Sequence, residues 1–287
     1  MGKPTLVKKA SGILEPFSQQ KLENSLRRAG ADEEVIESIL TDLKPWLYNG
    51  VSTRKIYKMA FGLLTRQKTG IAARYSLKRA IMEFGPTGFP FEQFIGQLFK
   101  QWGYKAEVGQ IIQGKFVKHE VDVIATGVKK QIFVECKYYN MQGKFADVKV
   151  SLYIHSRFED IIAIRKDLPE YRDFLLQGWI VTNTRFTTDA MDYGIGAGLH
   201  LVSWDYPKGQ SLKDLIEKDS LFPITALTRL NQEQKQKLLG KGIVLCKQIA
   251  FDPDILEGLG LDSNKREEVI LEVGGMVFKS PISNLHL

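Results

Sequence analysis

The sequence predicts a multidomain α/β (α+β) protein with a small α-rich amino-terminal unit, a central mixed sheet flanked by helices, and a small helical carboxyl-terminal unit. Two observations lead to this fold class. At 287 residues the chain is longer than one average domain, and strand patterns alternate with long helical patterns only in its middle. We place the domain boundaries at residues 1–87, 88–218 and 219–287.

The amino-terminal unit begins with two short strands, an apolar and basic one (LVKKA) and a second that reads ILEPF. Helices follow. Ser18 and Asp32 are suitable N-caps for two of them, because their side-chain oxygens accept hydrogen bonds from the first free amides of a helix. A third helix is predicted to begin at Ser52 or Thr53, and a fourth covers residues 71–84.

In the middle of the chain, apolar residues at helical spacing predict an amphipathic helix over residues 89–104. A short strand over residues 104–108 and a polar loop through Gly114 follow it. The segment HEVDVIATGVKKQIFVECKYY, residues 119–139, predicts a β-hairpin joined by the turn TGVKK. Residues 145–165 predict a further helix.

One face of this hairpin carries two carboxylates and a lysine. Side chains alternate along a strand, so Glu135 and Lys137 point one way and Cys136 points into the core, while Asp122 lies on the polar face of the first strand. Hydrolysis of a phosphodiester needs a hard cation, and Mg²⁺ prefers carboxylate ligands. Asp122 and Glu135 are therefore candidate ligands for Mg²⁺ or Mn²⁺, and Lys137 is the candidate to assist the attacking water. The alternative is a half-exposed strand pair with a solvated polar face.

Other chemically active residues near the hairpin have two interpretations each. Glu92, at the start of the amphipathic helix, is either a third acidic group of the site or a carboxylate favoured by the helix dipole. Glu120 is either an extra ligand or a solvated strand residue. Cys136 is interpreted as a small buried residue rather than a nucleophile, and the single histidines His119 and His155 lack the spacing of metal ligands.

The segments FEQFIGQLFKQWGYKAEV, EVDVIA, FVECKYY and GWIVTNTRFTTDAMDYG resemble, in this order, the Mrr-type restriction endonuclease branch of the PD-(D/E)xK nuclease superfamily. The resemblance covers residues 89–217 and implies a restriction-endonuclease-like core with Mg²⁺-dependent deoxyribonuclease activity of the type IV restriction kind. Members often place glycines before the Asp, where this chain has HEV. The resemblance implies the site residues Glu92, Asp122, Glu135 and Lys137, and a TN-x-x-F segment at Thr182, Asn183 and Phe186.

The amino-terminal segments LVKKASGILEPFSQQKLENSL, GVSTRKIYKMAFGLL and GIAARYSLKRAIMEFG resemble the ATP-cone, a nucleotide-sensing domain. The resemblance implies that ATP or dATP binds as a regulatory ligand and that the chain forms a homo-oligomer. Ala10 replaces the family's second basic residue, and Tyr57 stands at an aromatic or histidine position. The alternative is a degenerate cone that serves as a dimerisation or spacer module. The residues implied to bind the adenine nucleotide are Val7, Lys9, Glu15, Lys21 and Thr53.

The charge of the chain is compatible with a DNA partner, since 40 Lys and Arg residues against 33 Asp and Glu residues give a net charge of +7. Basic residues around the predicted helix 145–165 either follow a phosphate backbone or are simply solvated. Near the carboxyl end, the glycine turn at residues 240–242 resembles a helix-hairpin-helix module, although such turns are mostly structural. The basic residues concerned are Lys144, Lys149, Arg157, Arg165 and Lys166.

Two cysteines far apart in sequence provide no disulfide framework and no zinc spacing. The amino end lacks an apolar signal segment, and no apolar run reaches the ~18 residues that cross a bilayer. These features predict a cytoplasmic protein without a membrane partner.

Together these patterns predict a Mg²⁺-dependent DNA endonuclease that ATP or dATP regulates through the amino-terminal unit. One alternative is a non-catalytic, nucleotide-responsive DNA-binding regulator that retains a nuclease scaffold. A further one is a nuclease for branched or RNA-containing substrates, because the core fold does not fix the substrate class.

Overall fold

The computed structural model describes residues 4–9, 12–67, 71–72, 75–141 and 143–278. The chain divides into two compact units. The first contains Met1–Ala80, Phe222–Lys235 and Cys246–Leu287, and the second contains Ile81–Leu221 and Gln236–Leu245. The carboxyl-terminal segments are thus distributed between the two units, whereas the sequence set residues 219–287 apart. The three-domain division stays a prediction.

The first unit contains a three-stranded sheet in the order β2-β1-β3, in which β1 is antiparallel to β2 and parallel to β3. Both predicted helix caps are confirmed: Ser18 Oγ accepts from the Lys21 amide at 3.3 Å, and Asp32 Oδ1 from the Val35 amide at 2.9 Å. The elements are β1 (Leu6–Lys8), β2 (Leu14–Pro16), α1 (Gln19–Arg28), α2 (Glu33–Leu43), β3 (Val51–Ser52), α3 (Thr53–Gln67) and α4 (Leu77–Met82).

The predicted fourth helix over residues 71–84 is only partly observed. Ile71 and Ala72 are helical, a turn follows at Ser76, and α4 then ends at Met82. Residues 73–74 lie outside the described part of the chain.

The carboxyl-terminal segments of the first unit are anchored by a buried carboxylate. Glu272 accepts hydrogen bonds from the amide and hydroxyl of Thr228, at 2.7 and 2.6 Å, and from the Arg229 amide at 3.0 Å. Asp262 Oδ1 accepts from the Lys265 amide at 2.7 Å and caps the last helix of this unit. The helices near the carboxyl end are α9 (Gln232–Gly240), α10 (Cys246–Phe251) and α11 (Ser263–Val277).

The second unit is built on a five-stranded mixed sheet in the order β10-β8-β6-β5-β4. β4, β5 and β6 form an antiparallel meander, and β8 and β10 continue the sheet in parallel with β6. A separate parallel pair joins β7 to β9. The strands are β4 (Lys105–Gln113), β5 (Lys118–Gly127), β6 (Lys130–Lys137), β7 (Phe145–Ala146), β8 (Leu175–Thr182), β9 (Arg185–Phe186) and β10 (His200–Val202). The helices are α5 (Phe89–Gln101), α6 (Val148–Arg165), α7 (Thr188–Gly196) and α8 (Leu212–Asp219).

Helices cover opposite faces of this sheet. On β8, a Cβ at Gly178 would meet the Phe158 ring of α6 at 2.4 Å, whereas the neighbouring Trp179 packs against Phe99 of α5 with ring centroids 5.5 Å apart. Successive residues of a strand point to opposite faces, so α5 and α6 lie on different sides. The predicted mixed sheet flanked by helices is confirmed.

Two predicted boundaries in this unit were wrong. The strand expected over residues 104–108 continues to Gln113, because hydrogen bonds to β5 extend to the pair Gln113↔Lys118, and an edge strand needs no apolar side chain on its solvated face. The helix expected from residue 145 begins at Val148, because residues 145 and 146 pair with β9 and the Asp147 carboxylate caps the helix by accepting from the Lys149 amide. None of the described helices is long and apolar enough to cross a membrane.

Candidate active site

The candidate site lies where the ladder between β5 and β6 ends. Their pairing runs from Gly127↔Lys130 to Val123↔Val134 and stops before Asp122. Instead, Asp122 Oδ2 accepts a hydrogen bond from the Cys136 amide at 2.7 Å. β6 itself continues, since it stays paired with β8 as far as its last residue. The two candidate metal ligands therefore sit on strands that no longer pair in a regular ladder.

Strict side-chain alternation, which we predicted for β5, is interrupted at Asp122. Val121 and Ile124 are three residues apart, yet both pack into the core cluster that contains Phe133. On the neighbouring β4, Gly109 has a φ of +65°, a conformation that L side chains rarely adopt. It stands between Val108 and Gln110, which pair with Val123 and Val121, and thus beside Asp122. The backbone deviates on both strands, so the Asp122 side chain cannot be placed by alternation alone.

Glu135 is a buried carboxylate with two cationic partners. Its side chain is 6% exposed, Lys137 Nζ lies 2.5 Å from Oε1, and Arg157 Nη1 lies 2.8 Å from Oε2. Removing a carboxylate from water is costly unless it is paired and hydrogen-bonded. The solvated strand face, which the sequence left open as an alternative, therefore does not describe Glu135.

Arg157 is the site residue that sequence reasoning missed. We expected it either on a phosphate-binding surface or on a solvated face, but its side chain is only 13% exposed and pairs with Glu135. Its second guanidinium nitrogen donates to the backbone carbonyl of Glu120, and its guanidinium lies 5.4 Å from the ring centroid of Tyr153. A signal existed in the sequence, since Arg157 follows Ile154 by three residues and precedes Phe158, both buried on α6. A charged residue beside such an apolar stripe needs a partner.

Glu92, Asp122 and Glu135 form the carboxylate cluster of the site, in which the pKa values of Asp122 and Glu92 are raised. Burial first, and then the charge of Glu135, raise the pKa of Asp122 to about 7, while the Cys136 amide opposes the shift. Burial and the charges of Glu120 and Glu135 likewise raise the pKa of Glu92, in the first turn of α5. The cations and hydrogen bonds around these carboxylates therefore compensate their negative charge only in part.

The thiol of Cys136 is buried, and burial followed by the charge of Asp122 raises its pKa well above the ordinary value. A thiol in this state is a poor nucleophile, because the thiolate is the reactive form. The interpretation of Cys136 as a small buried residue is confirmed.

The TN-x-x-F segment holds the end of β6. Asn183 accepts from the Tyr139 amide at 2.9 Å and donates to the Tyr139 carbonyl at 2.8 Å, while Thr182 Oγ1 donates to the Lys137 carbonyl at 2.7 Å. Phe186 packs into the core below. These contacts fix the backbone from which Lys137 projects.

The remaining basic candidates divide into two groups. Arg165 donates to Gln131 at 2.8 Å and stacks on Tyr171 at 4.4 Å, so its guanidinium is already engaged, whereas Lys144 and Lys149 are exposed. At the turn after α9, the amides of Lys241 and Gly242 donate to the carbonyls of Leu238 and Leu239, each at 3.0 Å. The turn therefore has the structural role that the sequence left open, because these two amides already donate to carbonyls of the protein.

The residues implied to bind a nucleotide lie on or beside the small sheet of the first unit. Val7 is buried and pairs with Glu15 across the β1–β2 ladder, and Lys9 Nζ lies 3.3 Å from Glu15 Oε2. Thr53 begins α3 directly after Ser52, which pairs with Lys8. Lys21 lies in the first turn of α1. The sheet thus brings Val7, Lys9 and Glu15 together.

The oxygen donors of the site fit a divalent cation that is bound by two carboxylates and keeps several waters. Within the described ranges, no group of three or more His, Cys, Asp or Glu side chains is arranged to hold a metal ion. Mg²⁺, however, commonly binds through one or two carboxylates and keeps several waters. Asp122 and Glu135 provide two hard oxygen donors in a cluster with excess negative charge.

Comparisons with known proteins agree with this architecture. Residues 86–208 match the restriction endonuclease family Mrr_cat, and residues 222–277 match the family described as AF1548-like, C-terminal. Neither match includes residues before 86. The predicted Mrr-type domain is confirmed by the first match, while the ATP-cone stays a prediction.

Individual relatives were also found. A protein of Archaeoglobus fulgidus described as uncharacterized is 31% identical over 179 residues, which cover 62% of this chain and 97% of the relative. The crystal structure of a protein of unknown function, AF1548, is 29% identical and covers 67% of this chain and 98% of its own, with a TM-score of 0.54. The MspJI restriction endonuclease in complex with a 27-mer oligonucleotide is 12% identical and covers 69% of this chain and 41% of its own, with a TM-score of 0.33.

Proposed function

This chain belongs to the family of its Archaeoglobus fulgidus relative, and from the restriction endonuclease domain at residues 86–208 we propose that it is a Mg²⁺- or Mn²⁺-dependent DNA endonuclease. One observation carries the proposal. A buried carboxylate, Glu135, lies between two cations and beside a second carboxylate, Asp122, whose pKa is raised to about 7. Carboxyl groups whose pKa values are strongly shifted are typical of functional sites.

In this proposal, Asp122 and Glu135 hold the cation. When bound, the ion supplies Lewis-acid chemistry, because it polarises a phosphoryl oxygen and lowers the pKa of a bound water. Lys137 Nζ, which lies beside Glu135 Oε1, donates hydrogen bonds to the attacking water or to the charge that develops on the phosphate. Glu92 adds a further acidic group on the α5 side.

We also propose that the first unit binds ATP or dATP and that binding changes the oligomeric state. Lys21 in the first turn of α1 supports this, since a lysine near the start of a helix can bind phosphate, and Lys9 pairs with Glu15 beside the buried Val7. A nucleotide shifts the assembly only by its difference in affinity for the two states.

A second candidate function, a non-catalytic DNA-binding regulator on the same scaffold, is favoured by one observation. Both oxygens of Glu135 already have cationic partners, Lys137 and Arg157. If these pairs are stronger than the attraction for a cation, the site is inactive. The regulator binds DNA without cutting it and is indifferent to a chelator.

Cleavage of plasmid DNA and of modified genomic DNA tests the proposal. Wild type is compared with Asp122→Ala, Lys137→Ala and the control Lys208→Ala, which removes an exposed lysine between β10 and α8. Each reaction is run with Mg²⁺, Mn²⁺ or EDTA, and with or without ATP and dATP. We expect cleavage by wild type and Lys208→Ala only with a metal, and none by the site variants. Equal cleavage by Lys137→Ala and wild type contradicts the assignment of Lys137 to the active site. DNA binding by wild type without cleavage under any of these conditions supports the regulator.

A further inference from the structure

The loop that joins β4 to β5, residues 114–117, exposes apolar side chains to solvent. We call it the tip. Phe116 is 77% exposed and Val117 is 56% exposed, and Ile111 on β4 is 70% exposed. Scattered apolar residues are ordinary on a surface, but apolar residues gathered at one projecting loop mark a contact site more often than isolated ones do.

The backbone of the tip is fixed to α6 by one carboxylate. Asp160 accepts from the amides of Phe116 and Val117 at 3.0 and 3.4 Å, and it pairs with His119 Nε2 at 2.7 Å. The side chains of His119 and Asp160 are only 11% and 10% exposed, so water competes little for these bonds. A Cβ at Gly114 would lie 2.2 Å from the Asp160 carboxylate, which leaves room for glycine alone.

In the tip, the backbone is held in place while the apolar side chains stay exposed. The backbone is held by buried hydrogen bonds, while Phe116 and Val117 bury little of their own surface. A loop that served only to connect two strands would not need such an anchor. Holding exposed apolar groups rigidly lowers the entropy that they lose when they bind a partner.

The charges around the tip favour a polyanion. Lys115 Nζ lies 5.2 Å from the centroid of the Phe116 ring, and Lys118 begins β5 with an exposed side chain. Exposed lysines before and after an exposed aromatic residue in the chain match a partner with a phosphate backbone and stacked bases. Proteins that kink DNA insert such apolar residues between base pairs from the minor groove.

The tip is connected to the candidate site in two ways, through β5 and through α6. Phe116 precedes Asp122 by six residues, and an extended chain of that length spans roughly 20 Å, or about six base pairs. Asp160, which anchors the tip, follows the Glu135 partner Arg157 by three residues on α6. One helix therefore holds both the tip and the carboxylate cluster.

We propose that the tip is a wedge for duplex DNA, in which Phe116 enters between base pairs from the minor groove and Lys115 and Lys118 bind the flanking phosphates. The inference rests on the proposed function in taking DNA as the partner. The wedge kinks the duplex at a fixed distance from the carboxylate cluster.

The test compares wild type with Phe116→Ala and a matched control, Val128→Ala. Val128 is 96% exposed and lies in the turn at the other end of β5, next to Lys129 and just before Lys130, which begins β6. Affinity for a fluorescent duplex and for the matching single strand is measured by anisotropy in EDTA, bending of the duplex by energy transfer between dyes at its two ends, and folding by thermal denaturation. We expect Phe116→Ala to weaken duplex binding about 5- to 150-fold and to remove the bend, while Val128→Ala behaves as wild type.

The outcomes are distinguishable. If wild type binds and cuts DNA but Phe116→Ala binds and bends the duplex as Val128→Ala does, the wedge is wrong and the nuclease proposal stands. A loss of affinity for single strands alone also overturns the wedge. If wild type binds no DNA, both proposals fail.

Discussion

The carboxylate cluster of the central sheet and the Lys9–Glu15 pair of the small sheet contain the same kinds of side chain in different surroundings. In the cluster, Glu135 is 6% exposed and its cationic partners lie 2.5 and 2.8 Å away. In the small sheet, the side chains of Lys9 and Glu15 are 35% and 47% exposed and lie 3.3 Å apart. Water screens both members of the second pair, whereas in the cluster it reaches Lys137, which is 31% exposed, but hardly reaches Glu135. The two regions therefore differ mainly in the burial of the glutamate.

The largest expected difference between the two regions is in the effect of a substitution on the rate of DNA cleavage. We expect Glu135→Gln to reduce the cleavage rate at least about 100-fold, because the amide cannot replace a charged metal ligand. Glu15→Gln, the matched change in the small sheet, leaves cleavage without nucleotide unchanged. Rates of plasmid nicking at saturating Mg²⁺ measure both variants. Comparable losses in the two would remove the distinction between the sites.

Removing the arginine of the cluster is expected to change stability. Arg157→Ala leaves a buried carboxylate with one cationic partner, so we expect the free energy of unfolding to fall by about 3 kcal/mol. Urea denaturation measures this loss. The double variant Arg157→Ala with Glu135→Gln recovers most of it, because the uncompensated charge is gone. A double variant less stable than Arg157→Ala would show that the pair is not the cause.

The raised pKa of Asp122 predicts a pH dependence of stability. An ordinary Asp titrates near 3.9 in the unfolded chain, while Asp122 in the folded protein titrates at about 7. The folded state binds more protons between these values, so its stability falls as pH rises through this window and then levels off. Asp122→Asn, which cannot ionise, is therefore expected to be more stable than wild type at pH 8 by about 1–4 kcal/mol.

The comparison at pH 5, in metal-free buffer, provides the control for this prediction. Only about one pH unit of the window from 3.9 to about 7 lies below pH 5, so the gain in stability from Asp122→Asn there is about one third of the gain at pH 8. A stability gain of equal size at both pH values would mean that the charge of Asp122 is not responsible.

The smallest expected change in stability is in the small sheet. Lys9→Ala is expected to alter the free energy of unfolding by less than about 1 kcal/mol, because the pair is half exposed. If the first unit binds ATP, the same variant weakens nucleotide binding by about tenfold or more. Calorimetry with ATP and dATP measures the affinity, and Lys8→Ala is a neighbouring control. Unchanged affinity would exclude Lys9 from the proposed nucleotide site.

Local patterns predicted much of this molecule. The caps Ser18 and Asp32 and the proximity of Glu135 and Lys137 were readable, since each depends on neighbours two or three residues away. Alternation also placed Cys136 in the core correctly.

What the sequence could not reveal depends on distant partners. Arg157 meets Glu135 across 22 residues and the Glu120 carbonyl across 37. The extension of β4 to Gln113 depends on pairing with β5 rather than on its own polar residues. The break in alternation at Asp122 accompanies the positive φ of Gly109 on another strand. The apolar stripe of α6 indicates that Arg157 needs a partner, but no local pattern identifies any of these distant partners.

The hydrogen bond from the Cys136 amide to Asp122 makes that amide a spectroscopic reporter of the site. At 2.7 Å the amide proton points at the carboxylate oxygen, so its chemical shift follows the charge on Asp122. An NMR titration of this one resonance against pH reads the ionisation of Asp122 directly. The same resonance, followed against Mg²⁺, reads cation binding without any cleavage reaction.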